Sequence, residues 1–188
     1  MVSGMGAEYL YALRRFSRDV RLYLITAALI GFTIFGGIYT VLLNLYLVRL
    51  GYGPAFVGLV NAAGPLAMAL FCLPAGALGG RWGSRRAMIA GLCLSIPGFG
   101  LLPLAEFVPP SFRAGWLLAT YIVGHLGFAL YIVNANPFLT GITTTHGRNH
   151  VFSVQAALWP LAGFAGSLVG GMLPGLLAAP LRASLAEP

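Results

Sequence analysis

Five apolar stretches, each long enough to cross a bilayer, leave this chain almost no freedom of fold class. They occupy residues 22–48, 55–79, 87–106, 114–140 and 151–177. About 20 helical residues span a hydrocarbon core about 30 Å thick, so each run predicts one transmembrane helix. Their interiors carry glycine and proline freely, which spanning helices tolerate when neighbours satisfy the freed backbone groups. A transmembrane β-barrel would instead show segments of about ten residues with alternating polarity, and these runs do not alternate. The reading is an all-α membrane protein with five transmembrane helices. Composition agrees: 59% of residues are hydrophobic and 8% charged, against roughly a quarter charged in a soluble domain.

The formal charge of +7 comes from arginine alone, 11 of them and no lysine. These arginines sit in short segments between apolar runs rather than on one soluble face, so nucleic acid is not the expected partner. They are also unevenly divided. Arg14, Arg15, Arg18, Arg21, Arg81, Arg85, Arg86 and Arg148 fall on one side of the membrane, and Arg49, Arg113 and Arg182 on the other. The positive-inside rule places the first group in the cytoplasm, with residues 1–21 as a basic cytoplasmic N-terminus. A multi-pass protein of the cell (inner) membrane is expected. Arg14 to Arg18 faintly resembles a twin-arginine leader, but the apolar run that follows is far longer than a signal h-region and further spans come after it. Tyr52, Trp82 and Trp116 fall at expected interfaces; Trp159 lies inside the fifth run. Cys72 and Cys93 both lie within apolar runs, where a structural disulfide is not expected. Residues 22–180 thus read as a helical bundle. Residues 181–188 read as an external stub that would lead into a sixth span.

The segment joining the second and third spans is the most specific in the chain: Gly76-Ala77-Leu78-Gly79-Gly80-Arg81-Trp82-Gly83-Ser84-Arg85-Arg86. Gly79, Gly80 and Gly83 would allow a tight reversal with φ > 0, Ser84 is a candidate N-cap for the third helix, and the arginines hold the loop in the cytoplasm. In sequence and position it resembles the loop signature of the major facilitator superfamily, carried here by Gly76, Gly80, Arg81, Gly83, Arg85 and Arg86. It departs from that pattern in having Gly80 where the family has an acid and Ser84 where it has a basic residue. In the family the acid belongs to a charge-and-dipole latch between two transporter halves. Two other stretches agree with the resemblance. Tyr46 to Gly53 with Val57-Gly58 is similar to the link between spans one and two. Asn136 to Leu139 with Arg148 to Ser153 is similar to the link between spans four and five. The resemblance implies part of an N-terminal six-helix half, with the sixth span and the second half contributed by further chain. It also implies a secondary transporter that moves a small solute by alternating access about a midplane site. No cofactor is implied; the bilayer and an unspecified small-molecule substrate are the expected partners.

Candidate pathway residues follow from polar groups inside the spans. On span one, Thr26, Thr33, Gly37, Thr40 and Asn44 fall within about 60° of one another on a continuous helix. This stripe either lines a cavity or packs, its threonines bonding their own i−4 carbonyls. On span four, Thr120, Gly127, Tyr131 and Asn134 share one face, while Tyr121, His125 and Asn136 share another. His125 is the titratable side chain deepest in any span, hence a functional candidate unless it is simply packed. Asn61 on span two and Gln155 on span five are further lone polar groups, suited equally to interhelical bonding or ligand contact. On span five Pro160 would favour a kink, and Gly163, Gly166 and Gly170 suit close packing. The acids Glu8, Asp19, Glu106 and Glu187 all lie at ends or loops. His146 and His150 are spaced i, i+4 without a neighbouring acid or cysteine, which fits a solvated loop better than a metal site. No nucleophile–base set points to an enzyme. The competing reading is a non-transporting membrane scaffold.

Overall fold

The computed structural model describes residues 17–34 and 36–184, with the side chains of residues 145, 146 and 176–184 excepted. Arg14, Arg15, Glu8, Glu187 and the end of the expected external stub lie outside the described residues. Six helices and a 3-10 turn account for nearly all of the described chain: α1 (Arg18–Thr33), α2 (Ile38–Arg49), α3 (Pro54–Trp82), α4 (Ser84–Gly100), the 3-10 turn Leu102–Phe107, α5 (Pro110–Ile142) and α6 (Thr145–Ser184). They form five segments long and apolar enough to cross a membrane: Arg18–Arg49, Pro54–Trp82, Ser84–Phe107, Pro110–Ile142 and Gly147–Gly175. These are the five runs seen in the sequence, lengthened mostly by polar end turns that stay helical.

Leucines and isoleucines mark the outward faces. On α3, Leu66, Leu70 and Leu73 are 61%, 73% and 86% exposed and recur at i, i+4 and i+7. Ile89 and Ile96 repeat the pattern on α4, and Leu161, Phe164, Leu168 and Met172 on α6. Exposed apolar stripes of this length mark surfaces for lipid or for further protein.

The chain divides into two compact units, residues 1–45 with 142–188, and residues 46–141. In the first, α1 and α6 run parallel along a seam of small residues. A methyl group on Gly31 would meet the Trp159 backbone and the Ala162 side chain, and one on Gly166 would overlap the Phe32 carbonyl. Further along, Gly170 lies against Ile38. Order is preserved along both helices, so the first and fifth spans cross in the same sense. Val20, Tyr23, Leu24, Ala27 and Ile30 form the buried face of α1. Ser17 caps that helix, accepting from the Val20 amide at 3.4 Å.

The second unit contains α3, α4, the 3-10 turn and α5. Its α4–α5 contact is made backbone to backbone: Gly91 lies against Gly127, and Gly98 against Gly124. Between these points buried Ser95 donates its hydroxyl to the carbonyls of Gly91 at 3.0 Å and Gly124 at 3.1 Å. Ala75, Ala87 and Leu130 form a core where α3, α4 and α5 meet, with Phe71, Leu78, Ala90 and Val133 against it. Pro65 and Pro74 lie within α3, Pro97 within α4 and Pro137 within α5. None of them ends its helix.

Two expectations are corrected. Span one is not a continuous helix: it is interrupted between Thr33 and Ile38, where Gly36 takes φ +74°, a left-handed conformation that glycine adopts without steric cost. The polar stripe from Thr26 to Asn44 therefore does not lie on one uninterrupted helical face. At the second-to-third connection, Gly79 and Gly80 belong to the last turn of α3, and Gly83 alone has a positive φ, +84°. Ser84 is the first residue of α4 and Gly83 its N-cap, with no side-chain capping bond. One glycine completes the reversal because α3 continues helical through Trp82.

Candidate functional site

The basic loop is built as a single-residue turn between two helices. The Gly83 amide donates to the Gly79 carbonyl at 2.9 Å and closes α3, while the Gly83 carbonyl accepts from Ala87 at 3.1 Å and opens α4. Arg81, Arg85 and Arg86 are all exposed, as are Trp82 and Gly83. Space around Gly80 is open: nothing lies within 4 Å of where its β-carbon would stand. The lack of an acid there is a choice of sequence and not a demand of packing. Gly76 is half-buried with Val133 as the nearest side chain, 3.6 Å from a would-be β-carbon.

On the interrupted first span, Thr26 and Thr33 return their hydroxyls to the i−4 carbonyls of Leu22 at 2.9 Å and Leu29 at 2.6 Å. Thr40 differs. Its hydroxyl reaches back six residues to the Ile34 carbonyl at 3.0 Å, a group that the interruption releases from helical bonding. Asn44 is half-buried on α2. Gly37 and Gly166 meet where the interruption lies against α6.

Both faces of span four are engaged within the second unit. Thr120 bonds the Trp116 carbonyl at 2.8 Å, and Tyr131 and Asn134 are 1% and 3% exposed. The Asn134 amide nitrogen donates to Leu130 on its own helix at 2.9 Å and to Ala75 on α3 at 3.1 Å. On the other face, His125 Nδ1 lies 3.0 Å from the Tyr121 carbonyl. A carbonyl can only accept, so Nδ1 carries the proton in this bond. The imidazole stacks obliquely on Tyr121 at 4.3 Å and edge-on to Phe99 at 5.4 Å. Gly64 of α3 leaves room for the His125 and Tyr121 rings. Asn61 bonds its own i−4 carbonyl, Val57, at 2.8 Å. Gln155 is half-buried on α6, its Oε1 enclosed without a hydrogen-bond partner among the described residues. α6 continues helical through Pro160, and Gly163 is buried on it.

The opposite end of the second unit holds a polar cluster that sequence reasoning did not assemble. Arg113 donates to the carbonyls of Ala105, Glu106 and Val108 at 3.0, 3.4 and 3.3 Å, gathering the end of the 3-10 turn. Tyr46 donates to Pro103 at 2.8 Å, and Arg49 stands 3.8 Å from Glu106. The signal was present in the sequence, since Arg49, Glu106 and Arg113 all fall in the links at this end. Their convergence needed the 3-10 turn, which the third apolar run hid. Among the described residues no group of three or more histidines, cysteines or acids could hold a metal ion.

Five helices long and apolar enough to cross a membrane, two of them joined by a glycine-turned basic loop, fit a multi-pass membrane protein, and comparison with known proteins gives its family. A family model described as Major Facilitator Superfamily matches residues 24–179, and the chain belongs to that superfamily. It is also similar to the methyl viologen resistance protein SmvA of Salmonella typhimurium, in strains 14028s and LT2. In both the identity is 36% over 112 residues, covering 60% of this chain and 21% of the relative. The chain thus spans about a fifth of the length of the curated relatives it matches. No solved structure gives a significant match.

Proposed function

We propose that this chain forms the N-terminal part of a secondary transporter that exports small organic cations of the methyl viologen type by alternating access. The observation that carries the reading is the loop at the end of span two. Three exposed arginines are held on a turn that only glycine makes easily, in the position where the superfamily places its conformational signature. Membership of the superfamily supports transport, and the names of the two relatives support the substrate class. The uneven division of arginines supports a cytoplasmic N-terminus and loop, in the cell membrane. Within the first unit Thr33, Thr40, Asn44 and Gln155 are the residues we assign to the pathway, and within the second, separately, Asn61. Thr120, Tyr131 and His125 are the further pathway candidates on span four, where Thr120 and His125 bond carbonyls of their own helix.

The mechanism asks two halves to rock about a midplane site, so the loop acts on cycling and not on substrate contact. Loss of the Arg81 side chain is therefore expected to lower the maximal rate of methyl viologen export tenfold or more with less than a threefold change in half-saturating concentration. The measurement is export from cells or proteoliposomes carrying the complete protein. An Arg81→Ala variant that cycles at the parent rate would remove the loop from the mechanism.

A further inference from the structure

We infer that Asn134 is the positioning residue of the basic loop: its carboxamide, seated over Gly79 and bonded to the Ala75 carbonyl, sets where Arg81, Arg85 and Arg86 stand relative to span four. The loop's part in transport is the reading given above, on which the functional weight of this inference rests.

Asn134 is 3% exposed, and a buried amide is costly unless its protons are used. One bond stays on α5, to Leu130, while the other crosses 59 residues of sequence to Ala75 on α3. The rest of the carboxamide occupies the place that a β-carbon on Gly79 would take. Gly79 is in turn the residue whose carbonyl receives the Gly83 amide and closes the turn. Asn134, Gly79 and Gly83 are thus consecutive links from the C-terminal part of α5 to the tip of the loop. Below them the contact of Ala75, Ala87 and Leu130 fixes the same turns of α3 and α4 to α5. Only three residues separate Gly79 from Gly83, too few to absorb a displacement, so movement at the carboxamide is passed to the arginines. An apolar residue at 134 could fill the volume, but it could not bond Ala75 and thereby select one register of α3 on α5.

The test is exchange of volume across the contact. In the complete protein, with every native cysteine, Cys72 and Cys93 among them, replaced by alanine, a thiol introduced by Ser84→Cys reports loop position; Ser84 is half-buried on the first turn of α4. Its labelling by a maleimide is followed in detergent-purified protein. Gly79→Ala is expected to change the labelling rate at least threefold. Adding Asn134→Ala, which vacates the space the methyl group needs, is expected to return the rate to within twofold of the parent. A folded Gly79→Ala protein that labels at the parent rate, or a double variant no closer to the parent than the single, overturns the inference. Should Gly79→Ala fail to give a monodisperse protein, Asn134→Ala alone decides: a threefold faster rate supports positioning, and an unchanged rate overturns it. Labelling does not depend on transport. If labelling responds as expected while Arg81→Ala exports methyl viologen normally, the positioning stands and the loop's role in transport falls.

Discussion

Three glycines within five residues, 79, 80 and 83, carry three different physical burdens. Gly83 holds φ +84° and ψ 141°, a region open almost only to glycine. Gly83→Ala is expected to cost about 1–3 kcal/mol and to lower the melting temperature in detergent. Gly80 stands in open space inside a helix, where glycine is worse than alanine by about 0.5–1 kcal/mol. Gly80→Ala should therefore raise the melting temperature. If both changes destabilise alike, the open space around residue 80 is not real. The arginines at the other end of the unit divide in the same manner. Arg49 is 78% exposed and 3.8 Å from Glu106, and such pairs are worth at most about 1 kcal/mol. Arg113 instead holds three backbone carbonyls. Arg113→Ala is expected to cost more than Arg49→Ala, by about 1–2 kcal/mol, as read from thermal or denaturant unfolding. Added salt should weaken the Arg49 contribution first.

At the scale of the helices, small residues decide which pairs can approach. Gly98 meets the backbone of Gly124, which cannot move aside as a side-chain tip can. Gly98→Ala is accordingly expected to destabilise by about 1–3 kcal/mol or more, whereas the same change at Gly100, with open space around it, should be nearly neutral. A comparison of their melting temperatures checks this. On span one, Thr40→Val removes the hydroxyl that satisfies Ile34 across the interruption. A cost of about 1 kcal/mol follows, against less at Thr26, whose bond merely doubles an ordinary helical one. Much of this level was legible from the sequence. The five spans came from hydropathy, and spacing singled out Gly166 and Gly170, which lie close to Phe32 and Ile38. The interruption of span one did not, because an apolar run with two glycines reads the same whether bent or straight. Nor did the contact between Asn134 and Gly79, since spacing along α5 reveals which residues share a face but not what faces them. The two faces of span four were resolved in the sequence only as alternatives. Both are occupied, one by α3 and α4 backbone and the other by Phe99 and Gly64, because the helix is enclosed on more than one side.

For the molecule as a whole, the seam between α1 and α6 joins the first span to the last one described. Gly31 touches Trp159, and the two are separated by 128 positions (159 − 31) in the chain. At about 5–20 residues per second of synthesis, the first span enters the bilayer roughly 6–26 seconds before its mate has been made. During that interval its interrupted backbone sits in the membrane without the helix that later covers Gly37 and the Phe32 carbonyl. A ribosome that paused within residues 145–184 would prolong the exposure.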